Sequence, residues 1–312
     1  MTKGFVTIAT GCETYFVLAR NLLRSYRDNC KQHVRFAVIT DRENEYTQEF
    51  DDVVILDNPS RTWMDKIELL RYCPYDENIF IDADSLIYQD INFLWDVYRD
   101  ADDFSCFGKV LPMDSTEGWF TAEAARQYPI RFITHLHGML YFVRPGETVE
   151  RMYELCQKII SDYHTVNFKA FNNTLADEPV FALAMAVLDL RPTERKPEYY
   201  CFVPFSTKIR TNYVLRSVYF ENPKDGPVDR CCIVHWGNQN TLKTRYRRDE
   251  YSLNACYGRQ ITVWDRICGA FVYGKYRAVE LAKSLRDWMK WFFERLGVKI
   301  RKITGRGPDG AQ

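Results

Sequence analysis

Short apolar runs separated by turn residues dominate the first third of the chain. Phe5-Val6-Thr7-Ile8-Ala9 ends at Thr10-Gly11. A run of that length, bounded by a turn, predicts a buried strand. Phe16, Ala19, Leu22, Leu23 and Tyr26 then recur three or four apart, which predicts a helix with one apolar face. Val34–Thr40 and Asp52–Leu56 read as strands, Trp63–Tyr72 as a helix, and Asn78–Ile81 as a strand running into Asp82-Ala83-Asp84. Strands alternating with helices predict an α/β fold with a mostly parallel sheet. Ligands of such sheets bind beyond the carboxyl ends of the strands. Thr10-Gly11, Thr40-Asp41, Asp57-Asn58 and Asp82–Asp84 all lie at such ends.

The second half is less regular. Met139–Val143 reads as a strand, Arg144-Pro145-Gly146 as a turn, and Glu147 to about Asp162 as a helix. Glu178–Leu188 reads as a short buried helix and Cys231–His235 as a strand. From Ile261 onward the pattern is helical, and Gly305–Gln312 reads as a loose end. Leu281, Leu285, Trp288, Phe292 and Leu296 form one apolar stripe.

Charge changes the reading of that last segment. Lys+Arg and Asp+Glu both total 42, which excludes a chain that is basic throughout and binds nucleic acid non-specifically. Between Gly274 and Arg306, however, ten residues are basic and three acidic. A stripe of Leu, Trp and Phe on a basic helix suits an anionic membrane surface; the competing expectation is packing on the rest of the chain or on a second subunit of a homo-oligomer. No run reaches the ~18 apolar residues of a spanning helix, and Met1–Ala9 carries no cleavable leader pattern. The ten cysteines form no C-x-x-C pair, so neither a zinc site nor a disulfide scaffold is indicated. The expected location is the cytoplasm, with peripheral attachment to the inner membrane face.

Asp82-Ala83-Asp84 carries the sharpest chemical signal. Two carboxylates one residue apart at a strand end can both reach one divalent cation. Oxygen ligands suit Mg²⁺ or Mn²⁺, and open coordination positions suit a diphosphate. Isolated from its context, the same tripeptide is an ordinary solvated turn.

Ile79-Phe80-Ile81-Asp82-Ala83-Asp84-Ser85-Leu86-Ile87, followed by Asn92-Phe93-Leu94-Trp95, resembles the Asp-x-Asp segment of glycosyltransferase family 8, which includes glycogenin-like enzymes and bacterial lipopolysaccharide glycosyltransferases. The resemblance covers roughly the first 240 residues in scattered blocks. It implies a GT-A (Rossmann-like) fold and a metal-dependent hexosyltransferase. Such an enzyme uses a UDP-sugar donor, a glycan, glycolipid or protein acceptor, Mn²⁺ or Mg²⁺, and retention of configuration. Together with the segment pattern, it gives an expected catalytic domain over 1–258; the helical pattern and charge beyond it read as a basic amphipathic tail over 259–304, and the last residues as a disordered end over 305–312.

The residue assignments follow from the same resemblance. Thr10 and Gly11, within Thr7–Cys12, are similar to the uridine-binding loop, and Lys66 stands where the family has a basic residue facing phosphate or donor sugar. Asp82, Ala83 and Asp84 are expected at the donor diphosphate and its metal. His137-Gly138 resembles the family's Asn-x-Gly segment beside the donor sugar, with histidine in place of asparagine. Asp177-Glu178 resembles the pair that holds the sugar hydroxyls and lies near the anomeric carbon. His235 and Gly237, in Ile233-Val234-His235-Trp236-Gly237, resemble the family's late His-x-x-Gly block, one residue shorter, with His235 as third metal ligand. Lys243 is the residue nominated for the diphosphate. A sugar-nucleotide pyrophosphorylase would carry a glycine-rich basic loop after its first strand, and Thr10-Gly11-Cys12-Glu13 is not one. A catalytically inactive sugar- or membrane-binding module would not need Asp82, Asp84 and His235 together.

Overall fold

The computed structural model describes residues 1–123, 125–166, 168, 175–259 and 262–295. The chain opens with β1 (Lys3–Ala9), α1 (Glu13–Asn29), β2 (Arg35–Thr40) and β3 (Asp52–Ile55). A 3-10 helix over Trp63–Glu68 leads into α2 (Leu69–Tyr72) and then β4 (Glu77–Ile81). Next come β5 (Ser85–Ile87), α3 (Leu94–Val97), β6 (Phe104–Leu111), β7 (Ile133–Val143), α4 (Glu147–Ser161) and α5 (Asp177–Val187). The remainder is β8 (Tyr200–Phe202), a 3-10 turn at Val203–Phe205, β9 (Lys208–Asn212), β10 (Ser217–Asn222), β11 (Gly226–Asp229) and β12 (Ile233–His235). A 3-10 turn at Asn238–Leu242 precedes α6 (Thr244–Cys256) and α7 (Val263–Arg295).

The main sheet has the order β3-β2-β1-β4-β7-β6. Its first four strands are parallel, and β7 and β6 are antiparallel to their neighbours. Successive side chains of a strand point to opposite faces, and here both faces are covered. Phe5 and Ile79 join the core under α1, whereas Val6 and Phe80 join the core under α4 and α5. Burial on both faces is why β1, β2 and β4 read as continuous apolar runs rather than alternating ones. A second sheet, β5-β12-β8, joins three segments far apart in sequence, and β9–β11 form an antiparallel meander.

The expected alternation of strands and helices is present, with local differences. Trp63–Tyr72 is a tight 3-10 segment followed by one α-helical turn. The strand expected to begin at Met139 begins at Ile133, and the one expected at Cys231 begins at Ile233. All ten cysteines are free thiols. Among the described residues, no helix is long and apolar enough to cross a membrane. Ile261, Leu296 and the Gly305–Gln312 end lie outside the described residues.

Candidate active site

Asp82 follows the last residue of β4, and its N–H donates to the Met139 carbonyl at 2.9 Å, so it still rides the ladder with β7. The chain turns through buried Ala83, and the Ser85 N–H donates back to the Asp82 carbonyl at 3.1 Å. β5 then pairs antiparallel with β12 so that Ser85 faces His235, and the Trp236 N–H donates to the Asp84 carbonyl at 3.1 Å. This register brings the imidazole to the carboxylates. His235 Nε2 lies 3.0 Å from Asp84 Oδ1 and 3.5 Å from Asp82 Oδ2. Each of the three residues offers a ligand atom within 4.8 Å of the others. Two carboxylates and one imidazole, with Nε2 turned toward the oxygens, fit a divalent cation such as Mn²⁺ or Mg²⁺.

A second group of side chains adjoins this trio. Lys66 Nζ lies 2.9 Å from Asp82 Oδ1 and 3.4 Å from Asp177 Oδ2, and donates to the Gly138 carbonyl at 3.2 Å. Asp177 opens α5 and accepts the Tyr141 hydroxyl at 2.9 Å. Glu178 Oε1 accepts the Gly138 N–H at 2.5 Å. A Cβ on residue 138 would stand 2.6 Å from Glu178 Cγ and 2.7 Å from the Tyr141 oxygen, so this approach requires glycine. Lys66, Gly138, Asp177 and Glu178 are therefore one connected network beside the Asp82–Asp84 pair.

Burial and charge set the protonation preferences. Desolvation raises Asp82 above the usual carboxylate range despite Lys66 and His235. Asp84 is also penalised by burial, yet His235 outweighs that and holds it below the range. Burial lowers both Lys66 and His235, but Asp177 and Asp82 raise the first overall and Asp84 the second. Glu178 is pushed up to about 7, by burial first and by Asp177 next. His137, on β7, is driven well below its ordinary value by burial and by His235, so its imidazole is neutral. Its ring lies 4.8 Å from Phe202 and 5.6 Å from His235, and its buried Nδ1 has no hydrogen-bond partner among the described residues.

The remaining expected residues lie at strand and turn ends. Thr10 Oγ1 donates to Asp65 at 2.6 Å, and the Gly11 N–H donates to Asp41 at 3.3 Å. Gly11 has a φ of 82°, and Gly237 one of 68°, in the left-handed region that favours glycine. Lys243 is exposed and stands immediately ahead of α6. Four neighbours were not singled out from sequence. Asp65 anchors Thr10, Asp41 binds Gly11, and Phe202 stacks on the His235 ring at 4.7 Å. Burial first, and Asp84 next, raise the Tyr15 hydroxyl above its ordinary value. Only Asp41 had a visible signal, its position at the carboxyl end of β2.

No protein-family model matches this chain, and no curated protein does. Its fold is similar to that of the galactosyltransferase LgtC in complex with donor and acceptor sugar analogues, with a TM-score of 0.54 at 11% identity, over 84% of this chain and 98% of that one. It is also similar to an active-site mutant of LgtC, with a TM-score of 0.51 at 10% identity, again over 84% and 98%. At such identities the likeness establishes the architecture, a GT-A fold with a helical C-terminal region.

Proposed function

We propose that the chain is a metal-dependent glycosyltransferase that moves a hexose from a UDP-sugar to a glycan, glycolipid or protein acceptor with retention of configuration. The observation that supports this most is the meeting of Asp82, Asp84 and His235 at the carboxyl end of β4 in a GT-A fold. Residues 1–258 would be the catalytic unit and 259–304 an appendage.

Asp82, Asp84 and His235 would hold Mn²⁺ or Mg²⁺, which when bound neutralises a diphosphate leaving group. Thr10, Gly11 and Asp41 suit the nucleoside, whose N–H and hydroxyl donors match the buried Asp41 Oδ1, which has no hydrogen-bond partner among the described residues. Gly237 and Lys243 would face the diphosphate. Asp177 would orient sugar hydroxyls, and Lys66 balances its charge. The neutral His137 ring and the Gly138 backbone would line the sugar. Glu178, with its proton released, would stabilise positive charge developing at the anomeric carbon. The departing phosphate oxygen can take the acceptor's proton, so no strong protein base is required.

The test is release of UDP from UDP-glucose, UDP-galactose and their N-acetylated counterparts, with Mn²⁺ or with chelator, and the configuration of any glycoside by NMR coupling constants. Mn²⁺-dependent release is expected. Equal release in chelator would overturn the metal assignment, and an inverted product the stereochemistry.

A further inference from the structure

α7 runs for 33 residues and packs on α6. Its start is fixed by Asp265, which accepts the Thr262 N–H at 2.8 Å and the Thr262 hydroxyl at 2.7 Å and pairs with Arg259 at 2.6 Å. Farther along, every side chain from Leu281 to Phe293 is exposed. Leu285 is 58% exposed and Phe271, earlier on the helix, 79%. At ~100° per residue, Ile267, Phe271, Leu281, Leu285, Trp288 and Phe292 fall within about 100° of arc. Trp291 on one side and Phe293 on the other widen the arc to about 200° around this part of the helix, with Met289 inside it and Ser284 its one polar position between Leu281 and Phe293. Lys283, Arg286, Asp287 and Lys290 occupy the opposite side.

The width of that arc bears on what covers it. A partner helix in a coiled coil covers a narrow seam of two positions in seven. A 200° arc is better matched by a continuous apolar medium. Over its described residues the helix is not apolar enough to cross a bilayer, but an amphipathic helix of this kind lies in the interface with its polar face outward. The sequence supplies the charge: ten basic residues against three acidic ones between Gly274 and Arg306. Anionic headgroups complement that excess, and Trp288 and Trp291 have the amphipathic rings favoured at such a boundary.

We infer that α7 is an interfacial helix that docks the protein on an anionic lipid surface, with Leu281, Leu285, Trp288 and Phe292 in the acyl boundary and Lys283, Arg286 and Lys290 toward the headgroups. The docking stands independently of which sugar the site transfers.

The test is flotation of the full chain with phosphatidylcholine vesicles containing 30% phosphatidylglycerol, at low and high salt, with tryptophan emission recorded in parallel. Binding with a blue shift is expected, and it should weaken as salt rises. Replacing Lys283, Arg286 and Lys290 by Gln should reduce partitioning on the order of a hundredfold, since each near-surface basic residue contributes about fivefold. The pair Leu285→Glu and Phe292→Glu should abolish it. Because both side chains are exposed, the melting temperature of that variant should not change. Binding unaffected by either set of substitutions, or none at low salt, overturns the proposal. So does a chain that ignores vesicles but sediments as a dimer, which L285E/F292E would dissociate, and the face would then belong to a second copy.

Discussion

His235 stands opposite Ser85 across the β5–β12 pairing, and that single register puts its Nε2 3.0 Å from Asp84. A ligand set built this way should lose its metal without losing its fold. Asp84→Asn keeps the shape of the side chain and the main-chain bond from Trp236, but removes one anionic oxygen ligand. Mn²⁺ at ~100 times its dissociation constant should stabilise the parent protein by ~2.7 kcal/mol and the variant far less. Thermal melts with and without Mn²⁺ measure this directly. Sugar transfer should fall by more than ~100-fold.

Lys66 lies between Asp82 and Asp177 and is the near cation for both. Lys66→Met keeps the length of the stem and leaves two largely buried carboxylates uncompensated. Removing one partner of a buried ion pair typically costs ~3–5 kcal/mol. The loss should show in urea unfolding in chelator, and added Mn²⁺ should restore part of it. A variant as stable as the parent would mean that these ion pairs contribute nothing to the metal-free protein.

The sequence made half of this arrangement legible. β1, β2 and β4 are buried on both faces, so their apolar runs stand out, and Asp82 and Asp84 follow directly from where β4 stops. Other parts carry no local signal. β6 is interrupted at Gly108, where its pairing with β7 shifts register, so its period breaks. The first half of β7 contains His135 and His137, which hide a strand among polar residues. α6 buries Thr244, Asp249 and Ser252 beside Tyr246 and Leu253, so it has no apolar stripe to read. The contacts of Thr10 with Asp65 and of Lys66 with Asp177 are set by packing between distant elements, and no spacing rule yields them.

Glu178 gives a pH signature. Its folded-state value is about 7, against 4.5 for the ordinary carboxyl. Between those values the folded protein holds a proton that the unfolded chain releases. Stability contributed by this group is therefore greatest below pH 4.5, falls as pH rises through 4.5–7, and is flat above. The total loss is on the order of 1–3 kcal/mol. Glu178→Gln retains a carbonyl oxygen for the Gly138 N–H and removes the titration. In chelator, the gap in melting temperature between this variant and the parent should widen in the variant's favour from pH 5 to pH 8. A constant gap would contradict the raised value.

Gly138→Ala tests the tightness of the same network. The added methyl meets Glu178 Cγ at 2.6 Å and the Tyr141 oxygen at 2.7 Å, at the point of β7 between Leu136 and Tyr141 where its pairing with β6 shifts register. Overpacking of this kind costs ~1–3 kcal/mol. Circular-dichroism melts should show the loss, and crystals of the variant should show Glu178 displaced from the residue 138 amide. An unchanged melting temperature would mean that α5 yields freely.

The small β5-β12-β8 sheet also sets an order of events during synthesis. Strands β1 to β4 are all complete by Ile81, and parallel pairing among them needs nothing from the second half of the chain. His235 lies 151 positions after Asp84. At ~5–20 residues per second, a ribosome needs roughly 8–30 s to add that stretch. A nascent chain can therefore hold the two carboxylates on a formed strand end well before the imidazole exists. Cation affinity should arrive as a late step, when β12 inserts between β5 and β8, rather than growing with the amount of sheet already folded.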